Sequence, residues 1–133
     1  MKIGMTLDEA IREYQEDGYE VTHVAESVCG GCGGTSFMVQ VTEDQAMRRT
    51  CLGCGLAEFI GDSDEHWNPD DAEECACTCG GEEFAAALGS SCLPDGEVRW
   101  LTVGLRCLKC GLCGVYEDWK IDYVPSTHLI TRA

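Results

Sequence analysis

Apolar and polar residues alternate in short stretches along this chain, and only the first stretch has a helical period. Leu7, Ala10, Ile11 and Tyr14 fall at i, i+3, i+4 and i+7 and make one apolar stripe. Thr6 and Glu9 have the spacing of a capping box, in which each side chain satisfies a free backbone N–H at the helix start, and Met5 and Ala10 hold the staple positions. Gly18 is a natural stop. A helix this short is not stable alone, so its stripe must pack on the rest of the chain. Residues 19–28, YEVTHVAESV, are rich in β-formers and predict an extended segment.

From Phe37 the period changes to two. Phe37, Val39 and Val41 alternate with Met38 and Gln40, Glu43-Asp44 can turn, and residues 45–50 return. A longer hairpin comes later: FAAALGSSCL, the turn Pro94-Asp95-Gly96, then VRWLTVGLRC. Pro presets φ in such a turn and Gly permits a positive φ. A last strand holds Val115, Tyr116, Trp119, Ile121, Tyr123 and Val124 among Glu117, Asp118, Lys120 and Asp122. Leu56, Phe59 and Ile60 stand in the same place in the first half. Trp100, Trp119 and Tyr123 read as core.

The two hairpins belong to a repeat. Cys32-Gly33-Gly34-Thr35-Ser36-Phe37 matches Cys79-Gly80-Gly81-Glu82-Glu83-Phe84, and Cys51-Leu52-Gly53-Cys54-Gly55-Leu56 matches Cys107-Leu108-Lys109-Cys110-Gly111-Leu112. The period is 47 residues at the first block and 56 at the second, so the second hairpin is the longer.

Cysteine spacing carries the chemistry. Cys29-x2-Cys32 and Cys51-x2-Cys54 are separated by 18 residues, inside the C-x2-C…C-x2-C zinc template. Two residues between thiolates let a tight turn aim both sulfurs at one ion, and Gly33 and Gly55 relieve the crowding after each pair. In the second half Cys107 and Cys110 repeat the pair, and Cys79 is the counterpart of Cys32. Ala76 stands where Cys29 would be, so the fourth ligand is either Cys75 or Cys77. Cys75-x3-Cys79 has the usual ligand spacing. Cys77-x-Cys79 falls outside that range, but the two share one face of an extended chain and Cys77 could still supply the ligand. Cys92, Cys113 and the unused member of that pair read as small buried residues. Two zinc ions are expected, with iron as the alternative metal, since spacing separates the two poorly. Arg48, Arg49, Arg106 and Lys109 flank the ligand pairs and offer local charge compensation.

Composition narrows the class. The chain has 133 residues, 11 of them cysteine, and a formal net charge of −15. An odd cysteine count and an N-terminus without a signal-type apolar stretch argue for metal in a reducing, cytoplasmic setting rather than disulfides. No run of 18 apolar residues exists, so no membrane span is expected. The charge excludes the usual basic nucleic-acid binder that grips phosphate. Residues 50–98 carry twelve acids and neither Lys nor Arg. The densest part, GDSDEHWNPDDAEE at 61–74, has no hydrophobic period and reads as an acidic linker or exposed loop. Trp67 within it is either a partner anchor or folds back. His23, His66 and His128 are scattered, and His66, beside Asp64 and Glu65, reads as an exposed loop histidine. None of the common hydrolase, nucleotide or metalloprotease motifs occurs, and closed four-cysteine sites have no open coordination position, so no enzyme is expected.

Cys29, Cys32, Cys51 and Cys54, with their glycines, resemble the zinc-ribbon and rubredoxin-like knuckle superfamily over residues 28–60, and more loosely over 75–124. The expected architecture is small, metal-bound and mostly β: an N-terminal helix and strand (1–28), a three-stranded zinc ribbon (29–60), the acidic linker (61–74), a second ribbon (75–124) and a tail (125–133). The expected function is non-enzymatic binding of a basic protein partner, such as a nuclease, by an inhibitor or immunity-type protein. The alternatives are a rubredoxin-like electron carrier and a regulatory ribbon that meets nucleic-acid machinery through protein contacts.

Overall fold

The computed structural model describes residues 2–3 and 5–133. Its one α-helix among these, α1, spans Leu7–Tyr14. The capping box is present: the Glu9 N–H donates to the Thr6 hydroxyl at 3.1 Å, and the Thr6 N–H donates to the Glu9 carboxylate at 3.2 Å. Leu7, Ala10 and Ile11 are buried, but Tyr14, read as the fourth member of their stripe, is 56% exposed. The helix stops at Tyr14, and Gln15 turns inward instead. Its buried amide donates to Thr102 Oγ1 at 3.0 Å and Asp118 Oδ2 at 3.2 Å.

The strands are β1 (Lys2–Ile3), β2 (His23–Glu26), β3 (Phe37–Val41), β4 (Met47–Cys51), β5 (Ala57–Phe59), β6 (Glu73–Glu74), β7 (Phe84–Cys92), β8 (Val98–Cys107) and β9 (Leu112–Lys120). They form one open antiparallel sheet in the order β1-β9-β8-β7-β3-β4-β5, with β2 beside β7 and β6 beside β3. Each half of the repeat is thus an up-and-down meander, β3–β4–β5 and β7–β8–β9. The sequence suggested two separate ribbons, yet the meanders join edge to edge where Phe37 pairs with Phe84. Beyond that row the strands part. The rest of β7 takes β2, in register His23↔Ser90 to Glu26↔Ala87, and the far end of β3 takes β6, Gln40↔Glu74.

Alternation on the long strands separates two cores. Ala86 and Leu88 of β7, with Leu101, Val103 and Leu105 of β8, face a large core that also holds Phe37, Val39, Met47, Ile60, Phe84 and Leu129. Ala87 and Cys113 face the other way, onto Leu7, Ala10 and Ile11 of α1 and onto Val21. Glycine lets the helix come close. A Cβ at Gly89 would stand 2.5 Å from Ile11 Cγ2, and one at Gly104 would stand 2.9 Å from its Cγ1.

Segment 61–74 is tied to this body. Asp62 and Ser63 are buried, a 3-10 turn covers Ser63–Glu65, and Glu73–Glu74 is β6. Trp67 folds back, lying 5.4 Å from Phe59 edge to face and under the Arg48 guanidinium at 4.6 Å. Trp100 and Trp119 are only half-buried and Tyr123 is exposed, because each directs its polar tip to a carboxylate: Trp100 to Asp118, Trp119 and Tyr123 to Asp62. Residues 125–133 also pack, through buried Ser126 and Leu129.

Candidate metal centres

The sulfurs of Cys29, Cys32, Cys51 and Cys54 lie within 4.8 Å of one another, as do those of Cys77, Cys79, Cys107 and Cys110. Closest approaches are 3.5 Å for Cys29–Cys54 and Cys32–Cys51, and 3.6 Å for Cys77–Cys110 and Cys79–Cys107. A disulfide would bring sulfurs to about 2.0 Å. Four sulfurs at about 2.3 Å from a zinc ion stand about 3.8 Å apart along the edges of a tetrahedron. The observed spacing fits the second case, so both clusters could hold metal ions.

The same backbone device builds both centres. The Gly33 N–H donates to the Cys29 carbonyl at 2.9 Å, and the Gly55 N–H to that of Cys51 at 2.8 Å. Both glycines have positive φ, +76° and +80°, which a side chain would resist. Gly111 closes the Cys107 turn in the same way at 2.8 Å. Leu52 N–H donates to Ser36 O, and its counterpart Leu108 N–H donates to Glu83 O, both at 3.0 Å. The first turn of the second site is one residue shorter: Gly80 N–H reaches the Cys77 carbonyl at 2.8 Å. The shorter turn brings Cys77, not the residue at the Ala76 position, into the group of four sulfurs. Cys75 is the one left out. It is buried, its N–H donates to Val39 O at 2.8 Å, and burial followed by the charge of Glu117 pushes its thiol up to about 11. Cys113 is buried too, and Cys92 is half-buried.

Electrostatics within each cluster call for a cation. The N–H groups of Cys32 and Gly31 lower the Cys29 thiol to about 7, and the Cys79 N–H lowers Cys77 to about 7. The Gly34 N–H also pulls on Cys32, yet the sulfurs of Cys51 and Cys54 push its thiol up to about 12. The Leu112 N–H likewise pulls on Cys110, while burial and Cys77 raise it to about 12. Four sulfurs this close ionise together only around a positive ion.

Two of the flanking cations are engaged elsewhere: the Arg48 guanidinium donates to Gln40 Oε1 at 2.7 Å and stacks on Trp67. Arg49 is buried, with its guanidinium 4.7 Å from the centre of the Phe37 ring. It donates to Glu58 at 3.1 Å, to the Val28 carbonyl at 3.3 Å and to the Ala133 carbonyl at 2.8 Å. Glu58 in turn accepts the Gly30 N–H at 2.9 Å and so holds the first knuckle. This clamp was invisible in the sequence, where Glu58 is one acid among many. The two centres share one row of the sheet, Cys51–Phe37–Phe84–Cys107. Three inter-strand steps put the Cα atoms of Cys51 and Cys107 about 14 Å apart. Tyr116 packs edge to face on Phe84 at 5.6 Å, beside the second cluster.

No family model matches the chain, and no curated protein or solved structure matches it. No helix among the described residues is long and apolar enough to cross a membrane.

Proposed function

We propose that each cluster holds one zinc ion as a structural centre, and that the protein is a non-enzymatic, cytoplasmic interaction module whose acidic surface binds a basic protein. The observation that carries the zinc reading is the gathering of four sulfurs within 4.8 Å of one another in each half. Zinc bound by four thiolates has no position left for substrate, so its role is to hold the knuckles where the local core is thin. Two such centres take the formal charge from −15 to about −19, because each four-thiolate zinc site carries about −2. Glu73, Glu74, Glu82 and Glu83 are all exposed, which suits contact with a cationic surface. An inhibitor or immunity-type protein that covers a basic nuclease is the concrete form of this proposal.

Iron in the same sites, serving electron transfer, is the second reading. The Gly31 and Gly81 N–H groups each lie 3.4 Å from a cluster sulfur, and such hydrogen bonds tune iron–sulfur potentials. Metal analysis separates the two. The protein is expected to be colourless with two zinc per chain. Cys77→Ser should reduce this to one, whereas Cys75→Ser should keep both. A coloured protein containing iron, or fewer than two metals in the parent chain, would overturn the zinc assignment.

A further inference from the structure

Asp62, Glu65 and His66 lie apart from the thiolate clusters, on and beside the 3-10 turn Ser63–Glu65, and their ligand atoms fall within 4.8 Å of one another. They border a cavity of about 650 Å³ whose wall also includes Gln45, Trp119 and Tyr123. We propose that these three residues form an exchangeable site for a divalent cation that prefers oxygen and nitrogen donors.

Four observations converge on this. First, the donor set is mixed: two carboxylates and an imidazole at i, i+3 and i+4, the combination that suits Mn²⁺ and similar first-row ions rather than the thiolate-seeking ones. Second, Asp62 as a residue is only 4% exposed, and its carboxylate has no Lys, Arg or His within ion-pair distance among the described residues. Its two hydrogen-bond partners are neutral. Trp119 Nε1–H donates to Oδ1 and the Tyr123 hydroxyl to Oδ2, both at 2.9 Å. A buried carboxylate without a countercharge is costly, and a cation in front of it removes that cost. Third, those two donors do for Asp62 what outer partners do for a metal-binding carboxylate: they fix its plane and leave lone pairs for the ion. Fourth, no hydrogen bond or ion pair joins the three ligand side chains to one another among the described residues, although their ligand atoms lie within 4.8 Å. Glu65 and His66 are exposed and can rotate inward to close the coordination distance. The cavity leaves the remaining positions for water or one oxygen donor of a ligand.

Mn²⁺ is the probe, because it competes poorly for zinc thiolate sites. Zinc-replete full-length protein is titrated with Mn²⁺, and the free ion is followed by its electron paramagnetic resonance signal. One equivalent should bind with zinc content unchanged. Glu65→Gln and His66→Ala change exposed side chains, so the fold should persist, and each should weaken binding by about tenfold or more. Asp64→Asn removes a neighbouring charge that lies outside the triad, and it should leave the affinity within about twofold. Absence of Mn²⁺ binding would overturn the proposal. So would an Asp64→Asn effect as large as that of Glu65→Gln, since this would mean diffuse attraction to an acidic surface.

Discussion

Arg49 shows how one residue can carry more than its local sequence suggests. It pairs with Glu58 nine positions away, with Val28 twenty-one away and with Ala133 eighty-four away. No spacing rule links such partners, so the sequence could mark Arg49 only as a cation near cysteines. Arg49→Met should cost about 3 kcal/mol or more in urea unfolding, since it leaves Glu58 and two carbonyls without their donor. The exposed Arg106→Met should cost less than about 1 kcal/mol. Glu58 gives a pH test. The Gly30 N–H, and then the charge of Arg49, hold its carboxyl below the ordinary 4.5. A depressed folded value means the stability it contributes is complete above pH 4.5 and is lost as pH falls through the folded value. Glu58→Gln should therefore be less stable than the parent near neutrality, with the gap closing below pH 4.5. A constant gap in melts across that range would remove Glu58 from the account. Membership of the second cluster was also hidden at this scale: Cys75 has the usual ligand spacing and Cys77 does not, yet the shortened turn at Gly80 brings Cys77 to the other three sulfurs.

Elements were more legible than the contacts between them. The capping box and the 3.6-residue period marked α1, two-residue alternation marked β3, and the Pro94-Asp95-Gly96 turn marked the second hairpin. These are local signals that the backbone must obey wherever the piece is placed. The edge pairing of Phe37 with Phe84 is not local, and neither strand carries a pattern that names its outer neighbour. The same limit applies to Gly89 and Gly104, since nothing local to their strands says that Ile11 lies over both. A side chain at position 104 must push the helix away. Gly104→Val should lower stability by about 1–3 kcal/mol through overpacking. Combining it with Ile11→Ala should cost less than the sum of the two single changes, because the second variant makes room for the first. Additive losses in a thermal-melt cycle would mean that the helix does not rest on this spot.

At the scale of the whole molecule, charge and metal act together. If an acidic face recruits a basic partner, association should slow several-fold as salt rises from low to physiological ionic strength, since screening shortens to about 8 Å. Neutralising Asp70, Asp71, Glu73 and Glu74 together should slow it further, with little change in dissociation. Stopped-flow rates that ignore both changes would assign recognition to apolar surface instead, such as exposed Leu52, Leu56 and Leu108 at the knuckles. The junction between the halves has a separate consequence. A three-stranded meander standing alone would present two open borders to solvent, each able to recruit a strand from another molecule. Joining the halves at Phe37 and Phe84, and laying β2 and β6 along what remains, covers one border of each. Of the strands left at the borders, β1 and β6 are two residues long, β5 three and β2 four. Such short borders template poorly, so a repeat that could have polymerised strand by strand is closed within a single chain.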